Sequence, residues 1–292
     1  MVWDAVVLVK RFGWHFVYRQ ALSFIIHTEF IFSADISCTV LGGRVCIVTG
    51  ASSDIGRETV SELLREGAYV HAGSRRFDLL RSYRDEWARA FGENRVWVRR
   101  LDVTDENDVS KFVEEVFSHH RRIDAVVNLA GYPIDQNLWN RGLTDLSFED
   151  ISGVFKVDLG GSFLLSKYAI PCMVKNRHGV IVNIGSTPAI AGYDRGCAYT
   201  IAKAALVGLT KHIASEYGRM GIRAYTLALG NIETITTKKA LSESYEALAR
   251  ESPAGRWGKP SEVASVISVL CSDKMSFVNG QTIVVDGGTV MI

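Results

Sequence analysis

From residue 43 onward, short runs of apolar and β-branched residues alternate with stretches of helical, amphipathic spacing. Each short run is almost continuously apolar, a pattern typical of strands that are buried on both faces of a parallel sheet. The predicted strands are Val45–Val48, Tyr69–Ala72, Val96–Val98, Ala125–Leu129, Val180–Ile184, Ala224–Leu229 and Thr282–Val285. The predicted helices are Ile55–Glu66, Phe77–Ala90, Glu106–His119, Phe148–Lys175, Ala198–Tyr217 and Ser261–Cys271. Repeated strand, helix, strand units predict an α/β fold with a doubly wound parallel sheet of seven strands.

The chain divides into two parts of different character. Residues 41–292 contain no repeat, low-complexity tract or Pro/Ser-rich linker, and we predict that they form a single domain. Residues 1–40 form a short N-terminal extension that is rich in aromatic and apolar side chains. Only nine residues lie between Arg19 and Glu29, too few to cross a hydrocarbon core of roughly 30 Å, and no secretory cleavage pattern follows. The extension is an amphipathic anchor, a segment that packs on the domain or on a partner subunit, or upstream sequence outside the working protein; the last two are favoured.

The composition excludes several classes of partner. A formal net charge of +1 provides no long-range field that would recruit nucleic acid or an anionic membrane, so we expect a small-molecule partner and no stable membrane insertion. The five cysteines are odd in number and far apart, which predicts no disulfide framework and a reducing, cytoplasmic setting. Neither the cysteines nor the seven histidines have the spacing of metal ligands, and we expect no metal site.

The first predicted strand runs into a turn of small residues that opens onto a helix. In "TGASSDIG", Gly50 and Gly56 bracket a segment that contains Ser52, Ser53, Asp54 and Ile55. A helix N-terminus after such a turn presents free backbone N–H groups and the positive end of the helix dipole, which suit a pyrophosphate. The alternative is an ordinary tight turn, because a pair of glycines alone is a weak signal.

Asp54 is an unexpected residue in a phosphate-binding turn, since its carboxylate would repel phosphate. Aspartate is a favoured helix N-cap, and we predict that its side chain accepts a hydrogen bond from the N–H group of Gly56 or Arg57. Capping would turn the carboxylate away from the phosphates, and Arg57 would screen its charge. On this interpretation Asp54 weakens cofactor affinity modestly, and Asp54→Gly tightens it.

The residues after the second and third predicted strands bear on which dinucleotide binds. An acidic residue at the end of the second strand favours NAD, whereas arginine accommodates the 2′-phosphate of NADP. This place is occupied by Ser74, Arg75 and Arg76, and a guanidinium matches phosphate with two hydrogen bonds. We therefore expect NADP(H) to be preferred, with NAD(H) possible; the alternative is a solvated basic loop. Asp102 and Val103 follow the third strand, where the adenine would lie.

The fourth predicted strand ends in "NLAG", a segment of small residues. Doubly wound sheets bind ligands beyond the carboxyl ends of their strands, at the point where the strand order reverses. The segment puts Asn128, Ala130 and Gly131 at that point, and the small side chains would let the backbone approach a ribose. We expect these three residues to contact the cofactor.

A tyrosine and a lysine lie four residues apart at the start of a predicted helix. The spacing puts Tyr199 and Lys203 on one face of the helix, one turn apart. A neighbouring ammonium stabilises a phenolate, so this pair is suited to proton transfer near neutral pH. Ser186 ends the fifth strand at the same edge of the sheet, where its hydroxyl can donate to a carbonyl oxygen. Either feature alone occurs by chance on many helices and turns, but their register with the glycine turn and "NLAG" argues against chance.

These motifs together resemble the short-chain dehydrogenase/reductase family over about residues 41–292. The resemblance rests on "TGASSDIG" for T-G-x-x-x-G-x-G, "NLAG" for N-N-A-G, Ser186, "YTIAK" for Y-x-x-x-K, "GNIET" after the sixth strand and the closing "GQTIVVDGG". It implies a Rossmann-like fold and hydride transfer between a nicotinamide cofactor and a ketone or secondary alcohol. The pattern is most similar to the 3-oxoacyl-[acyl-carrier-protein] reductases. It also implies a homotetramer, which family members form through the helices predicted at Phe148–Lys175 and Ala198–Tyr217.

The resemblance implies a role for each matching residue. Tyr199 would protonate the substrate carbonyl or remove the hydroxyl proton, Lys203 would support it and bind the nicotinamide ribose, and Ser186 would orient the carbonyl. The loop after the sixth strand would lie beside the nicotinamide, with Ile232 lining its pocket and Thr234 holding its carboxamide. That loop begins at Gly230.

Three residues depart from the family pattern. Asp54 replaces the middle glycine of the first turn, and Leu229 replaces a proline before Gly230, which makes that turn less rigid. Asp158 replaces the family's catalytic asparagine, which helps to hold a water that relays protons to the lysine. Aspartate can accept a hydrogen bond from that water, and its charge favours a protonated Lys203. We therefore expect activity to survive with an altered pH profile.

The segments expected to face the substrate show no single chemical preference. The amphipathic residues 236–250 lie where the family has its substrate lid, and residues 132–139 are expected to form the facing wall. Trp139 and Tyr193 can pack against an acyl chain or a sugar, or serve only in packing. We expect a 3-oxoacyl thioester as substrate, for example one carried by acyl carrier protein. A sugar or polyol dehydrogenase and a non-catalytic NADP(H)-sensing protein are the alternatives.

Overall fold

The structure, a computed structural model, describes residues 39–133, 135–240 and 245–291. Strands and helices alternate along these residues. The strands are β1 (Val45–Thr49), β2 (Tyr69–Ser74), β3 (Val96–Arg100), β4 (Ala125–Asn128), β5 (Gly179–Ser186), β6 (Ile222–Leu229) and β7 (Gln281–Val285). The α-helices are α1 (Asp54–Arg65), α2 (Phe77–Phe91), α3 (Glu106–His120), α4 (Gln136–Asn140), α5 (Phe148–Phe155), α6 (Gly161–Lys175), α7 (Pro188–Ala191), α8 (Cys197–Tyr217), α9 (Ile235–Ala240), α10 (Tyr245–Glu251) and α11 (Pro260–Cys271).

The seven strands form one parallel sheet in the order β3-β2-β1-β4-β5-β6-β7. The strand order reverses between β1 and β4, whose last residues, Thr49 and Asn128, lie opposite each other. The ends of β5 and β6 are also level, since Ser186 pairs with Leu229. The segments that follow these strands therefore meet at one edge of the sheet, which we call the carboxyl edge.

Both faces of the sheet are covered by helices, because alternate residues of each strand point to opposite faces and both sets are apolar. On one face, Val48 packs in a cluster with apolar side chains of α1, α2 and α11. On the other face, its neighbour Ile47 packs with side chains of α3, α6 and α8. Burying a side chain of this size contributes about 1.5–3 kcal/mol. These two layers fix the position of the carboxyl edge.

The fold class predicted from the sequence is confirmed. The strand boundaries agree within two residues at every end, with β5 the most extended relative to its prediction. The predicted helix Phe148–Lys175 is observed as α5 and α6, joined by a π-helical turn at Lys156–Gly160. Helices α9 and α10 occupy the predicted lid segment, of which residues 241–244 lie outside the described residues. Residues 1–38 also lie outside them, so the division of the chain near residue 40 stays a prediction.

Candidate active site

The turn after β1 is packed tightly against the end of β4. Gly50 has a φ of +65°, and a Cβ there would lie 2.7 Å from the backbone nitrogen of Ala130. That nitrogen donates a hydrogen bond to Thr49 Oγ1 at 3.2 Å. A Cβ at Gly56 would collide with the carbonyl oxygen of Gly50. Both glycines are therefore required by the geometry of the turn, which we call the phosphate turn (residues 50–56).

Ser53 caps helix α1, and Asp54 does not. The Ser53 backbone is extended, and its hydroxyl oxygen accepts a hydrogen bond from Gly56 N at 3.1 Å. The same hydroxyl donates to Gly50 O at 2.8 Å. The helix begins at Asp54, one residue before its predicted start at Ile55, so the capping position falls on Ser53. The prediction that Asp54 is the N-cap is wrong for this reason.

The Asp54 carboxylate instead reaches a distant segment of the chain. Asp54 Oδ2 accepts a hydrogen bond at 2.6 Å from Ile235 N, the first residue of α9. Arg57 makes its contacts with α2, where it pairs with Glu86 and lies 4.6 Å from the ring centroid of Tyr83. The guanidinium of Arg57 therefore has partners other than Asp54, and its screening of the Asp54 charge stays a prediction.

Arg76 joins the end of β2 to the phosphate turn. Its Nε donates to Ser52 Oγ at 3.0 Å, and its Nη2 donates to Ser52 O at 2.8 Å. The buried hydroxyl oxygens of Ser52 and Ser74 are 2.6 Å apart. Arg75 is exposed beside them. These residues form a corner at the carboxyl edge that combines two hydroxyl groups with two guanidinium groups.

The two predicted adenine-site residues after β3 have different surroundings. Asp102 Oδ1 accepts hydrogen bonds from the backbone nitrogen of Thr104 at 3.0 Å and from its hydroxyl at 2.8 Å. The hydrogen bond from the Thr104 backbone is the main reason that the pKa of Asp102 lies below its usual value. Val103 is buried, and a Cβ on Gly161 would lie 2.7 Å from Val103 Cγ2. Val103 thus packs against α6, whereas Asp102 is half-buried at the edge.

Asn128 is buried beneath the carboxyl edge, in a ladder of polar side chains. Its Nδ2 donates to Asn183 Oδ1 at 2.8 Å. Asn183 Nδ2 in turn donates to Thr210 Oγ1 at 2.9 Å, and Thr210 Oγ1 accepts from Thr226 Oγ1 at 2.8 Å. This ladder connects β4, β5 and β6 to helix α8. The side chain of Asn128 therefore supports the sheet and the helix from below the edge.

Tyr199 and Lys203 lie one turn apart on α8, with both side chains on the same face. Lys203 Nζ lies 5.5 Å from the centroid of the Tyr199 ring. It donates a hydrogen bond to Ile184 O on β5 at 3.0 Å. A Cβ on the exposed Gly131 would lie 3.9 Å from it. The ammonium group is thus at the mouth of β4 and β5, as the i,i+4 spacing and the strand register predict.

Asp158 contacts Lys203 directly. It lies on the π-helical turn between α5 and α6, and such turns often occur at functional sites. Its Oδ2 lies 3.1 Å from Lys203 Nζ, and its Oδ1 accepts a hydrogen bond from Tyr132 N at 2.5 Å. The side chain of Asp158 is 0% exposed and that of Lys203 is 8% exposed. The two side chains are thus in direct contact, and the relay water that the family pattern assigns to this position stays a prediction.

Burial and pairing act in opposite directions on Lys203. Removal of the ammonium group from water lowers its pKa, whereas the charges of Asp158 and Tyr199 raise it, and the net pKa of Lys203 lies above its ordinary value. The lysine is therefore positively charged at neutral pH. This buried positive charge lies one helical turn from Tyr199, with its nitrogen 5.5 Å from the centroid of the phenol ring.

The ends of β5 and β6 carry the remaining predicted residues. Ser186 Oγ donates to Leu229 O at 3.4 Å, a length at which a hydrogen bond is weak. A Cβ at Gly230 would collide with Asp286, so this position has room only for glycine. Ile232 is buried, and Thr234 Oγ1 lies 3.0 Å from Thr237 Oγ1 at the start of α9. These residues form the loop that leads from β6 to α9.

Trp139 forms an aromatic wall beside Tyr199. Its ring centroid lies 5.4 Å from that of Tyr199 and 6.1 Å from that of Tyr193. The ring rests on Gly196, where a Cβ would lie 2.6 Å from it. A small cavity of about 30 Å³ adjoins the wall and is lined by Tyr132, Pro133, Asp135, Leu138, Trp139, Val154, Gly196, Ala198 and Tyr199. The surface next to Tyr199 is therefore largely apolar and aromatic.

Sequence reasoning missed Gly196 and the backbone groups of Tyr132 and Ile184. Gly196 has a φ of +68° and donates a hydrogen bond through its nitrogen to Trp139 O at 2.9 Å, which fixes the wall against the start of α8. A glycine directly before an apolar helix is a signal that could have identified this position. Backbone groups carry no signal of residue type, so no pattern in the sequence points to Tyr132 N or Ile184 O.

Residues 50–290 match the family described as Enoyl-(Acyl carrier protein) reductase. The match includes the phosphate turn, the Tyr199–Lys203 pair and the loop from β6 to α9. The chain belongs to the short-chain dehydrogenase/reductase family. The resemblance inferred from the motifs is thereby confirmed.

Individual members of the short-chain dehydrogenase/reductase family are similar over most of the chain. The 3-oxoacyl-[acyl-carrier-protein] reductase of Thermotoga maritima is 39% identical over 251 residues, which cover 86% of this chain and 99% of the relative. The enzyme of the same name from Escherichia coli is 32% identical over 250 residues, or 86% of this chain and 98% of the relative. The crystal structure of gox2181 superimposes with a TM-score of 0.79 at 30% identity and covers 85% of this chain and 96% of its own. As a member of this family, the protein is an oxidoreductase that uses a nicotinamide cofactor.

Three further properties concern the described residues alone. None of their helices combines the length and the apolar character that crossing a bilayer requires. Their four cysteines, Cys46, Cys172, Cys197 and Cys271, are free thiols. The described part of the chain also contains no cluster of three or more side chains suited to hold a metal ion.

Proposed function

We propose that this short-chain dehydrogenase/reductase prefers NADP(H) and interconverts a 3-oxoacyl thioester with the corresponding 3-hydroxyacyl thioester. The observation that carries the proposal is the buried Asp158–Lys203 ion pair beside Tyr199 at the mouth of β4 and β5. The names of the Thermotoga and Escherichia relatives support the choice of substrate. An acyl group carried by acyl carrier protein is the form of thioester that those names indicate.

The carboxyl edge fits a dinucleotide with an additional phosphate. Gly131 is exposed, and its missing side chain leaves an approach to Lys203 that a Cβ would partly fill, 3.9 Å from the ammonium nitrogen. The Ser52, Ser74 and Arg76 corner supplies hydroxyl groups and a guanidinium whose Nη1 has no hydrogen bond to the described residues, which suits a 2′-phosphate. Arg75 would add a second positive charge. When bound, the cofactor supplies or accepts the hydride.

The other cofactor residues that the family pattern assigns divide into two groups by burial. Those that are half-buried or exposed are proposed to contact the cofactor: Gly50, Ser53 and Ile55 its pyrophosphate, Asp102 its adenosine, Ala130 and Gly131 its ribose, and Gly230 and Thr234 its nicotinamide. Gly56, Val103, Asn128 and Ile232 are buried and are proposed to shape the site from beneath.

Proton transfer is assigned to the α8 pair. Tyr199 acts as the acid in reduction and as the base in oxidation, because it is a proton donor that lines the apolar cavity one helical turn from Lys203. Lys203 stabilises the phenolate and donates to the cofactor ribose. Asp158 keeps Lys203 charged in its buried position. Ser186 donates a hydrogen bond to the substrate oxygen, for which its weak bond to Leu229 O leaves it available.

The aromatic wall favours an acyl substrate over a polyol. Of the side chains that line the cavity beside Tyr199, only Asp135 is charged, and most of the rest are apolar or aromatic. A polyol would leave its hydroxyl groups without partners against Trp139, Leu138 and Val154, which is unfavourable. An acyl chain would instead bury apolar surface there.

We also propose that the protein is a cytoplasmic homotetramer. Large apolar side chains are exposed on the helices that the family resemblance assigns to subunit contacts: Phe148 on α5, Phe163 on α6 and Ile201 on α8 are 77%, 49% and 42% exposed. Exposed apolar side chains of this size on adjacent helices are typical of an interface. Sedimentation of the full chain tests the tetramer.

The purified full chain tests the proposal through the absorbance of NADPH. We expect consumption of NADPH with a 3-oxoacyl thioester, little with a 2-enoyl thioester, and no reduction of NADP⁺ by aldoses or polyols. The Tyr199→Phe variant is the control and should bind NADPH without turnover. Turnover with sugars or polyols alone would show that the protein is a sugar or polyol dehydrogenase instead. Binding of NADPH without turnover of any of these substrates would support a non-catalytic NADP(H)-sensing protein.

A further inference from the structure

Asp54 is in the phosphate turn but is bonded to a segment on the far side of the cofactor site. We infer that Asp54 is a positioning residue that holds the loop from β6 to α9 against the phosphate turn and, through its charge, lowers the affinity for the cofactor. The affinity part of this inference rests on the proposed function. The positioning part concerns the protein without cofactor and stands independently of it.

The loop from β6 to α9 has one anchor near each end. At its start, Ile232 pairs with Gly258 in an isolated parallel bridge, and Glu233 N donates to Gly258 O at 2.8 Å. At its end, Ile235 N donates to Asp54 Oδ2 at 2.6 Å. The Ile235 side chain is 75% exposed, so apolar packing does not hold this end. The bond to Asp54 is therefore the contact that fixes the end of the loop.

Thr234 lies between these anchors, and among the described residues its hydrogen bonds are made within the loop and α9 rather than to the sheet. Its nitrogen donates to Thr237 Oγ1 at 2.8 Å, and Thr237 Oγ1 donates to Ile232 O at 2.9 Å. These bonds shape the loop internally but do not attach it to the phosphate turn. The position of Thr234 relative to the turn therefore depends on the Asp54–Ile235 bond.

A carboxylate suits this task better than the glycine of the family pattern. Glycine has no side chain to reach Ile235, and a hydrogen bond from a backbone N–H to a carboxylate is roughly twice as strong as one between neutral groups. The bond keeps in place a loop that the cofactor would otherwise have to order on binding. Loss of this preorganisation would weaken binding, because ordering a loop opposes association.

The same charge also acts against the cofactor. The pyrophosphate is proposed to bind the phosphate turn, where the carboxylate would lie close to its negative charge. The guanidinium of Arg57 pairs with Glu86 rather than with Asp54. Asp54 also lines an open cavity of about 400 Å³ together with Arg57, Glu58, Glu233, Lys259, Pro260 and Ser261. Solvent in this cavity reduces the repulsion without removing it, so the two effects of Asp54 oppose each other.

Two substitutions separate positioning from charge. Asp54→Asn keeps an oxygen that accepts the bond from Ile235 N but removes the charge, whereas Asp54→Ala removes both. Glu58→Gln is the matched control, because Glu58 is a carboxylate on the same helix and in the same cavity with no hydrogen bond to α9 among the described residues. Each variant of the full chain is measured by hydrogen exchange of the Ile235 amide without cofactor, by the Kd for NADPH and by kcat.

We expect Asp54→Ala to speed exchange at Ile235 about tenfold, the equivalent of one lost hydrogen bond, while Asp54→Asn and Glu58→Gln change it about twofold or less. Asp54→Asn should bind NADPH about three- to tenfold more tightly than the wild type, as expected for one removed repulsion. Asp54→Ala should bind NADPH more weakly than Asp54→Asn and show a lower kcat, since Thr234 is no longer held.

Unchanged exchange at Ile235 in Asp54→Ala would overturn the positioning role, whether or not any variant binds NADPH. An Asp54→Asn variant that binds NADPH no more tightly than the wild type would overturn the effect on affinity. A wild type that binds no NADPH at all would contradict the proposed function instead, and the exchange measurement would still decide the positioning role.

Discussion

Two aspartates replace uncharged residues of the family pattern at the carboxyl edge, and they differ in burial and in bonding partner. Asp158, on the π-helical turn, is fully buried and paired with Lys203 at 3.1 Å. Asp54, in the phosphate turn, is half-buried beside an open cavity and bonded to the backbone of Ile235. Burial and the nature of the partner therefore decide what an added negative charge does. In the π-helical turn it fixes the charge of a lysine, and in the phosphate turn it fixes the position of a loop.

The two regions also differ in what their residues contribute to the proposed reaction. The π-helical turn and α8 surround the reacting atoms, whereas the phosphate turn and the Ser52, Ser74 and Arg76 corner face the remote end of the cofactor. Substitutions in the first region should change the rate and the stability. Substitutions in the second region should change the cofactor affinity. Variants at Tyr199, Asp158 and Arg76 test this division.

The largest expected effect is on the rate, at Tyr199. Tyr199→Phe removes the hydroxyl that transfers the proton but keeps the ring that packs against Trp139. We expect kcat for 3-oxoacyl thioester reduction to fall about 10³-fold, within the range that general acid–base catalysis supplies. The Kd for NADPH, followed by fluorescence titration, should stay within about twofold of the wild type. A variant that keeps a tenth of the activity would remove Tyr199 from the proton transfer.

The largest expected effect on stability is at Asp158. Asp158→Ala leaves the Lys203 ammonium buried without its partner, which destabilises proteins by about 3–5 kcal/mol. Asp54→Ala, which removes a carboxylate near the surface, should cost about 1 kcal/mol or less. Urea unfolding followed by tryptophan fluorescence measures both free energies of unfolding. Equal losses in the two variants would contradict the difference in burial on which the comparison depends.

Much of the fold could be predicted from the sequence, because its signals are local. The strand runs at Val45–Val48 and Tyr69–Ala72 are found within two residues, since continuous apolar runs survive only where both faces are buried. The π-helical turn could not be predicted, because residues 156–160 keep a helical pattern and the extra residue in the turn depends on packing against α8. The Asp158–Lys203 contact is a consequence of that turn.

The phosphate turn shows the opposite limit of sequence reasoning. Ser53 and Asp54 are both good capping residues, and a shift of one residue in the start of α1 decides which of them caps. Once Ser53 takes that place, the partner of Asp54 lies 181 residues away in the sequence. No local pattern contains this information, and only the folded loop after β6 supplies it.

A smaller effect is expected at the adenosine end of the cofactor site. Arg76→Ala removes the guanidinium that lies against Ser52, and we expect a loss of NADPH affinity of about 10- to 100-fold, the equivalent of a lost charged hydrogen bond. NADH, which lacks the 2′-phosphate, should bind with little change. Arg81→Ala is the control, because Arg81 is exposed on α2, the helix that begins directly after Arg76, and lies over the Phe77 ring. Equal losses for NADPH and NADH would show that Arg76 does not read the phosphate.

His71 tests what burial does to a titratable side chain outside an ion pair. His71 is buried beside His119 and His120 and stacks on Trp97, with no acidic partner in this cluster, and burial lowers its pKa to about 3. The unfolded chain takes up this proton near pH 6.5 and the folded chain only near pH 3, so stability falls as the pH falls between these values. Each pH unit in this window removes up to about 1.4 kcal/mol.

Urea unfolding at several pH values measures this slope, and His71→Phe provides the comparison because its ring can still stack on Trp97. We expect the variant to lose most of the decline between pH 6.5 and pH 5, above the range in which carboxylates titrate. If the free energy of unfolding falls equally with pH in both proteins, the decline does not come from His71.

The most direct test of the account is the pH dependence of kcat in the wild type and in Asp158→Asn. The buried Lys203 stays charged because of the Asp158 carboxylate, whose removal leaves burial to lower the pKa of Lys203. The variant should remain active at neutral pH. The pH at which its kcat declines on the alkaline side should be at least about one unit lower than in the wild type, and each unit corresponds to about 1.4 kcal/mol in the free energy of deprotonation of Lys203. Superimposable profiles would contradict the claim that Asp158 sets the charge of Lys203.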